Sequence, residues 1–437
     1  MMRFIKHFFI MGDSVRKIKL GFFFAALLLV MIPIGIAFSD SPLLQLSDLK
    51  YQGAFRLPQG DFGWPQYAGF SYGGTALAYN PARNSLFLVG HNWDQATGEM
   101  SIPSQIVNST NLSNLSTAKV LKPLTDALEG NIGLINAYHP KVGAQLVYNN
   151  RLYVASWSYY DGAGEQTKSQ FIRPLDLSVT GQVQGPYKVG NQYPGWVDRY
   201  AGTVPAEWQS AFGGPAITGG AGGSIVSLQS WDPAVSVFNP NDVGSKDPVP
   251  ATLLVGYPST HPLHDFSSAN PYFNAATVVT GVVFPQGTRT VLFFGKHGLG
   301  PYCYGPGTSD PNQAGQPADG GVDVYCYDPV NGSKGSHNYP YAYYAWAYDA
   351  NDLLAVKNGQ KQSWEILPYG TWTLNLPFAT NTDIGGVAYD PATQKIYVSQ
   401  ACADGECYPV IHVFSVNAAA SPPDTQPPSS PGNLRTR

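Results

Sequence analysis

The chain has 437 residues, of which only 12% are charged, and its formal net charge is −4. This balance gives no basic footprint for binding nucleic acid, so no nucleic-acid partner is expected. The 47 glycines, 36 prolines and 27 tyrosines favour an all-β protein with many turns over one built from long helices.

The N-terminus is typical of an export signal. Basic residues at positions 16–19 precede an apolar run over residues 20–38, and Ala37-Phe38-Ser39 fits the small-x-small rule for cleavage. We therefore predict a signal peptide over residues 1–39, no stable membrane insertion after its cleavage, and a protein that is secreted, periplasmic or held at the cell surface. The alternative is an uncleaved signal anchor, because the run is nearly long enough to span a bilayer.

A hairpin pattern recurs along the chain. An apolar strand ends in an aromatic residue, a turn of the Asn/Asp/Pro/Gly type follows, and a second apolar strand comes next. Residues 76–89 read ALAYNPARNSLFLV and residues 386–398 read GVAYDPATQKIYV, with further copies at 144–154 and 281–294. Such a repeat predicts a ring or stack of similar sheets.

The aromatic residues before the turns mark seven units, at the irregular spacing of propeller blades with long loops. Strand-like segments at 51–57 and 410–416 flank the units and would pair to leave few free edges. We therefore predict an all-β, seven-bladed β-propeller over residues 45–417, closed by pairing of its N- and C-terminal strands and present as a monomer. A β-sandwich and a β-helix are the structural alternatives. The markers are Tyr79, Tyr148, Tyr187, Phe238, Phe284, Tyr348 and Tyr389.

The loops between hairpins hold the candidate chemistry, since the chain has no nucleophile elbow, zincin motif or P-loop. His91 follows the first hairpin directly, and His139 lies just ahead of the second. Arg199 and Tyr200 belong to the run GWVDRYAG. We expect His91, His139 and Tyr200 to meet on one face of the ring, although each could instead be a surface, capping or packing residue.

Further loop residues are candidates for contact with substrate. They are aromatic or imidazole side chains, which suit the faces and hydroxyls of sugars but suit core packing equally well. The candidates are Trp93, Tyr160 and His264.

The four cysteines form two pairs in the sequence. Cys402 and Cys407 flank a short loop, which predicts a disulfide in an exported protein. Cys303 and Cys326 lie in a glycine-rich loop together with His297 and His337. Two imidazoles and two thiolates suit a closed, structural Zn²⁺ site. The alternative is a Cys303–Cys326 disulfide beside two unrelated histidines.

The proline-rich segment 418–437 is expected to stay extended and unpacked. It is similar to the linker and opening strand of a fibronectin type III module. We therefore predict a disordered tail, the remnant of a linker to such a module.

Four runs carry a resemblance to a known family: FSYGGTALAYNPARNSLFLVGHNWD, YYDGAGEQTKSQFIRPLDLS, YAGTVPAEWQSAFGGP and FFGKHGLGPYCYG. On these runs, and from about Leu49 to Asn417, the chain resembles secreted bacterial β-propellers related to the propeller-type ulvan lyases. The resemblance implies a seven-bladed propeller, a structural zinc ion at the two histidines and two cysteines, and β-elimination on a sulfated, uronate-containing polysaccharide.

A lyase of this kind needs a base, an acid and a partner for the uronate carboxylate. His91, His139, Tyr200 and Arg199 are the predicted catalytic residues, with His91 and Tyr200 inside the matching runs. Two positions depart from the pattern expected in related chains: Gln170 stands where a His is expected, and Leu228 where an Arg is expected.

The sequence thus predicts a secreted propeller whose partner is an anionic polysaccharide that it processes, with a lyase as the specific hypothesis. One alternative is a non-catalytic propeller that binds carbohydrate or protein. Another is a glycoside hydrolase with paired carboxylates, although no spacing favours a pair. The scattered carboxylates considered are Asp94, Asp198, Glu207 and Asp265.

Overall fold

A computed structural model describes residues 41–63, 66–67, 69–220, 230–258, 272–378 and 383–417. The predicted signal peptide, the proline-rich tail and His264 lie outside these residues. Within them no helix has the length and apolar character needed to cross a membrane. The two α-helices of the described residues are short: α1 spans Ala206–Phe212 and α2 spans Ala350–Lys357.

The strands, in chain order, are β1 Leu49–Arg56, β2 Thr75–Asn80, β3 Ser85–Val89, β4 Thr97–Ser101, β5 Ser116–Thr117, β6 Val120–Thr125, β7 Tyr138–Tyr148, β8 Arg151–Tyr160, β9 Gln170–Pro174, β10 Gln184–Tyr187, β11 Tyr200–Thr203, β12 Ala216–Gly219, β13 Ser230–Phe238, β14 Ala251–Pro258, β15 Val278–Val283, β16 Thr290–Gly298, β17 Cys303–Thr308, β18 Pro317–Ala318, β19 Asp323–Val324, β20 Cys326–Tyr327, β21 Lys334–His337, β22 Tyr341–Asp349, β23 Gly370–Leu374, β24 Ile384–Asp390, β25 Lys395–Asp404 and β26 Tyr408–Val416.

Five sheets of four or more strands are present in the described residues. Their strand orders are β2-β3-β4-β6, β7-β8-β9-β10, β11-β12-β13-β14, β15-β16-β22-β23 and β24-β25-β26-β1-β5. The first strands of the sheets contact one another in the order β2, β7, β11, β15, β24, and β24 contacts β2. Similar sheets arranged in a ring make a β-propeller, which confirms the predicted fold class.

The described residues form five blades, where the sequence predicts seven. The prediction took each aromatic marker as one blade, but a four-stranded blade contains more than one hairpin. Tyr148 ends β7, the inner strand of the second blade, and Tyr187 lies on β10, the outer strand of the same blade. Tyr348 lies on β22, in the same sheet as the hairpin that contains Phe284. Two of the seven markers therefore fall in blades already counted.

The first and last strands of the propeller lie side by side. β1 pairs antiparallel with β26, from Leu49 opposite Val416 to Arg56 opposite Val410. The buried His412 imidazole joins them further: Nδ1 accepts from the Tyr51 hydroxyl at 3.0 Å, and Nε2 donates to Gln400 Oε1 at 2.8 Å. Burial lowers the pKa of His412 to about 3, so the ring is neutral and keeps this pattern of donor and acceptor.

The centre of the ring is nearly closed. Residues from all five inner strands line a cavity of only about 40 Å³, room for about one water molecule. Glycines permit the close approach: a Cβ on Gly143 would lie 2.0 Å from the Asp198 carbonyl oxygen, and one on Gly281 would lie 2.4 Å from the Val387 side chain. A ligand therefore has to bind at an end of the ring, on the loops, and not inside it.

The inner strands run in the same direction, because the same ends of neighbouring strands meet. At the starts of β24 and β2, Gly385 lies against Gly74 and Gly386 lies against Leu77. Gly143 of β7 meets Asp198, just ahead of β11. We call the end of the ring where the inner strands begin the upper face. Residues 299–340, between β16 and β22, carry β17–β21 and are called the insertion.

The glycine contacts give a direct stability prediction. Gly143→Ala should lower the free energy of unfolding by about 2 kcal/mol or more, because the added methyl group meets backbone that cannot rotate away. Gly133→Ala is the matched control, since no atom lies within 4 Å of its added Cβ. Denaturant unfolding of both variants measures the difference, and equal stability would contradict this reading of the inner strands.

Candidate functional site

The predicted catalytic residues lie at the upper face of three successive blades. His91 follows β3 of the first blade, His139 is the second residue of β7, and Arg199 and Tyr200 lie at the start of β11. The same end of each blade also receives the end of its second strand, because the first two strands of each blade are antiparallel. The candidate site is built from these loops.

His91 is nearly buried between aromatic rings. Tyr67 stacks on the imidazole with ring centroids 4.3 Å apart, and Tyr72 meets it edge-on at 5.6 Å. Nδ1 accepts from the Trp93 backbone N–H at 3.1 Å, which leaves the hydrogen on Nε2. Burial, aided by Lys141 and opposed by Asp94, lowers the pKa of His91. The neutral ring can donate a hydrogen bond from Nε2, but its basic lone pair is already used.

Lys141 and Trp93 form the next part of the face. The Lys141 ammonium donates to the Asn92 carbonyl oxygen at 2.6 Å and lies 5.4 Å from the centre of the Trp93 ring. Burial lowers the pKa of Lys141. Trp93 is 69% exposed, so an aromatic face next to a cation is open to solvent.

Arg199 and Trp157 form a third pair. The guanidinium carbon lies 3.6 Å from the centre of the Trp157 ring, as close as direct stacking allows. The backbone N–H of Arg199 donates to the Gly219 carbonyl oxygen. Among the described residues, no side chain or carbonyl accepts a hydrogen bond from its guanidinium. Arg199 thus presents a planar set of donors to an acidic ligand.

Two buried carboxyl groups accompany Arg199. Asp198 Oδ2 accepts from Gln166 Nε2 at 3.0 Å, and Asp232 Oδ2 accepts from the Val279 backbone N–H at 3.0 Å. Within the described part of the chain, the Oδ1 atom of each has no hydrogen-bond partner. Burial raises the pKa of both to about 7, and the positive charge of Arg199 opposes this rise. Each carboxyl can therefore gain or lose a proton near neutral pH.

Tyr200, predicted to be catalytic, is buried in the third blade with its hydroxyl already bonded. Its hydroxyl donates to the Ala234 carbonyl oxygen at 2.7 Å and accepts from the Ala234 N–H at 3.1 Å. Burial raises the pKa of Tyr200 well above its usual value. With both functions of the hydroxyl used inside the third blade, Tyr200 is a packing residue. Successive side chains of a strand point to opposite sides, so Arg199 and Tyr200 could not both face the site.

The second blade also exposes several aromatic rings. His139 is exposed, with Tyr138 packed edge-on at 4.1 Å, and Tyr160 lies opposite Tyr138 in the β7–β8 pairing. Tyr138, Tyr159 and Tyr160 are each more than half exposed. Gln170, where a histidine was expected, is buried and donates to the Val197 carbonyl oxygen at 2.8 Å. Its hydrogen bond supports the segment before Arg199.

The carboxylates considered for a hydrolase do not gather at one place. Asp94 accepts from the Tyr67 backbone N–H on the upper face. Glu207 belongs to α1, beyond the far end of β11, and accepts from the Gly287 N–H at 2.7 Å. Asp265 lies outside the described residues. Asp232 resembles Asp198 in that burial raises the pKa of both. No sequence motif indicates Asp232.

The predicted zinc ligands do not fit a metal ion as they are placed. Cys303 and Cys326 are joined in a disulfide. His337 Nδ1 lies 2.7 Å from Asp328 Oδ2, and its Nε2 lies 3.0 Å from two carbonyl oxygens. His297 Nδ1 lies 2.9 Å from the Thr277 hydroxyl. The described residues contain no group of three or more His, Cys, Asp or Glu side chains that could hold a metal. A second disulfide joins Cys402 and Cys407.

No protein-family model and no curated protein matches the chain. Solved structures are similar to it at low identity. A thermostable family-43 glycoside hydrolase is 11% identical over 82% of this chain and 91% of its own, with a TM-score of 0.38. The GH43 endo-arabinanase from Bacillus licheniformis is 11% identical over 81% and 96%, with a TM-score of 0.35. A luciferin-regenerating enzyme is 7% identical over 79% and 92%, with a TM-score of 0.34. None of these three is a polysaccharide lyase, and the link to the ulvan lyases stays a prediction.

The buried carboxyl of Asp198 gives a pH-dependent prediction. In the folded chain it keeps its proton up to about pH 7, whereas in the unfolded chain it loses it near the ordinary value of 3.8. The stability that the neutral carboxyl provides is complete below the unfolded-state pKa of 3.8. It is lost as the pH rises through the folded-state pKa of about 7. Asp198→Asn, which keeps the acceptor for Gln166, should therefore be more stable than the parent at about pH 8, by on the order of 1–3 kcal/mol, and should lose this advantage near pH 4.

Thermal unfolding across this pH range measures the effect. Asp61→Asn, at an exposed carboxyl, serves as the control and should follow the parent at every pH. A stability difference between Asp198→Asn and the parent that does not vary with pH would contradict the buried, protonated carboxyl.

The state of the four cysteines can be tested directly. We expect no free thiol in the unfolded, unreduced protein and no stoichiometric zinc in the folded protein, because both cysteine pairs are disulfides. Thiol titration and elemental analysis of one preparation measure both. Two free thiols together with one zinc ion per chain would restore the site at His297, Cys303, Cys326 and His337.

Proposed function

We propose that the upper face binds an anionic polysaccharide in an exported protein and cleaves it by β-elimination beside a uronate. The observation that supports this most is a row of nitrogen-bearing side chains, each against an aromatic ring. The upper-face row consists of His91 with Tyr67, Lys141 with Trp93, and Arg199 with Trp157.

The members of the row follow one another without interruption. The Trp93 backbone binds His91, and Lys141 reaches the carbonyl oxygen of Asn92, between those two residues. Lys141 is also directly opposite Trp157 in the β7–β8 pairing, and the Arg199 guanidinium stacks on the Trp157 ring. The row therefore connects the first, second and third blades.

An acidic sugar chain matches both components of the row. Aromatic rings pack against the C–H faces of sugars, and arginine and lysine bind carboxylate or sulfate oxygens. The two disulfides are typical of proteins that fold in an oxidising compartment, where such polysaccharides are met.

Each step of the elimination has a candidate residue. Arg199 would bind the uronate carboxylate and stabilise the negative charge that develops when the α-carbon loses its proton. His139, with its exposed imidazole, would take that proton. The electron pair then forms a double bond to the β-carbon, the bond from that carbon to the glycosidic oxygen breaks, and a proton from water completes the leaving group. His91 Nε2–H would donate a hydrogen bond to the leaving oxygen.

The activity test uses the mature protein with sulfated and unsulfated uronate polysaccharides, followed by the ultraviolet absorbance of the unsaturated product. Arg199→Ala should lower kcat/KM about 100-fold or more, because the carboxylate loses its partner. Arg199→Lys keeps the positive charge but loses the planar stack on Trp157. Its kcat/KM should therefore lie between those of the parent and Arg199→Ala. Lys50→Ala removes an exposed charge at the opposite end of the fifth blade and should have no effect.

Three outcomes would contradict parts of this proposal. Binding without any turnover would identify a non-catalytic carbohydrate-binding propeller. Release of reducing ends without the unsaturated product would identify hydrolysis. Absence of binding to every uronate polysaccharide would exclude the substrate class itself.

A further inference from the structure

A second cleft opens on the same face, beside the upper-face row. It measures about 620 Å³, within the range of pockets that hold a small ligand. One wall belongs to the first and fifth blades and the other to the insertion. The lining residues are Ser71, Tyr72, Pro329, Val330, Cys402, Gly405, Glu406 and Cys407.

Covalent and hydrogen bonds hold the blade wall of this cleft. The Tyr72 backbone N–H donates to the Cys407 carbonyl oxygen at 2.8 Å, and the Cys402–Cys407 disulfide closes the hairpin between β25 and β26. Arg56 binds Asp404 of the same hairpin at 2.6 Å. The wall is therefore formed before any ligand arrives.

The wall from the insertion is held by a buried carboxylate. Asp328 accepts from the backbone N–H groups of Val330 and Asn331 at 3.1 and 3.0 Å, and it also binds His337. Pro329 and Val330 thus present a fixed apolar surface to the cleft.

Tyr72 connects the cleft with the upper-face row. Its ring is 60% exposed, lines the cleft and meets the His91 ring edge-on at 5.6 Å. A polysaccharide that lies along the row past His91 would therefore continue over Tyr72 into the cleft.

The chemistry of the cleft differs from that of the row. Among the described residues that line it there is no Lys, Arg or His side chain, and the one charged group is the exposed carboxylate of Glu406. A carboxylate repels a sugar acid or sulfate ester but accepts hydrogen bonds from hydroxyl groups. Tyr72, Pro329 and Val330 offer apolar surface to the face of a sugar ring.

We propose that this cleft is a subsite for an uncharged sugar unit next to the uronate bound by the row, and that Glu406 excludes a second acidic unit. The substrate class is then a polysaccharide in which uronate and neutral sugars are neighbours, and a chain made only of uronates is the poorer ligand. This inference rests on the proposed function, because it requires the upper-face row to bind the acidic units of the same polysaccharide.

The test compares the affinities of two soluble polymers by calorimetry: one that alternates uronate and neutral sugars, and one made only of uronates. The wild-type protein should prefer the alternating polymer. Glu406→Gln should reduce this preference, and Glu406→Lys should shift it by about 10-fold toward the all-uronate polymer. Gln360→Lys changes the net charge by the same single unit as Glu406→Gln, beyond α2 at the other end of the ring, and is the matched charge control for that variant.

A second variant tests the apolar side of the cleft. Tyr72→Ala should weaken binding of the alternating polymer more than that of the all-uronate polymer. The same ratio of affinities in the wild type, Glu406→Lys and Tyr72→Ala would overturn the subsite while leaving the binding of uronates intact. Failure of both polymers to bind the wild type would instead overturn the proposed function.

Discussion

Backbone contact between neighbouring inner strands is the constraint on which the rest of this protein depends. At Gly143, Gly202 and Gly281 the next strand lies so close that a side chain would collide with it. Among the described residues, these contacts narrow the centre of the five-bladed ring to a cavity of about 40 Å³. Chemistry is therefore confined to the loops at the ends, and the shared direction of the inner strands sets His91, Lys141 and Arg199 on one face.

The site shows how burial and charge work together at this face. Arg199 lies on the Trp157 ring and beside two carboxyl groups whose pKa values burial raises to about 7. When these carboxyls are protonated, the charge of Arg199 is not cancelled and remains available to an anion. The same burial makes His91 neutral, which gives the row a hydrogen-bond donor at one end and a cation at the other. An acidic ligand is thus oriented as well as attracted.

The sequence could predict the fold class but not the number of blades. The hairpin pattern depends on local residues alone, whereas the grouping of hairpins into sheets depends on contacts such as β9 with β10 and β16 with β22. Tyr348 carries the same local signal as Tyr79, yet it lies on the third strand of a blade already begun. Long insertions such as residues 299–340 separate strands of one sheet and hide this grouping from the sequence.

The candidate site was predictable in part for the same reason. His91 and Arg199 can be predicted as site residues from their positions at strand ends. Side chains alternate along a strand, however, and this alternation directs Tyr200 inward to Ala234. Lys141, Trp157 and Asp232 are ordinary strand residues in the sequence, and only the packing of neighbouring blades brings Lys141 to Trp93 and Trp157 to Arg199. The ligand types at Cys303 and Cys326 suited zinc and a disulfide equally, so residue chemistry alone left the choice open.

The central claim is that Arg199, held on Trp157, recognises an acidic sugar on the upper face. The most direct measurement is the affinity of one uronate oligosaccharide before and after its carboxylates are reduced to alcohols, for the wild type and for Arg199→Ala. The account predicts that the wild type prefers the carboxylate form by about 10-fold or more and that Arg199→Ala loses this preference. An equal preference in the two proteins would contradict it.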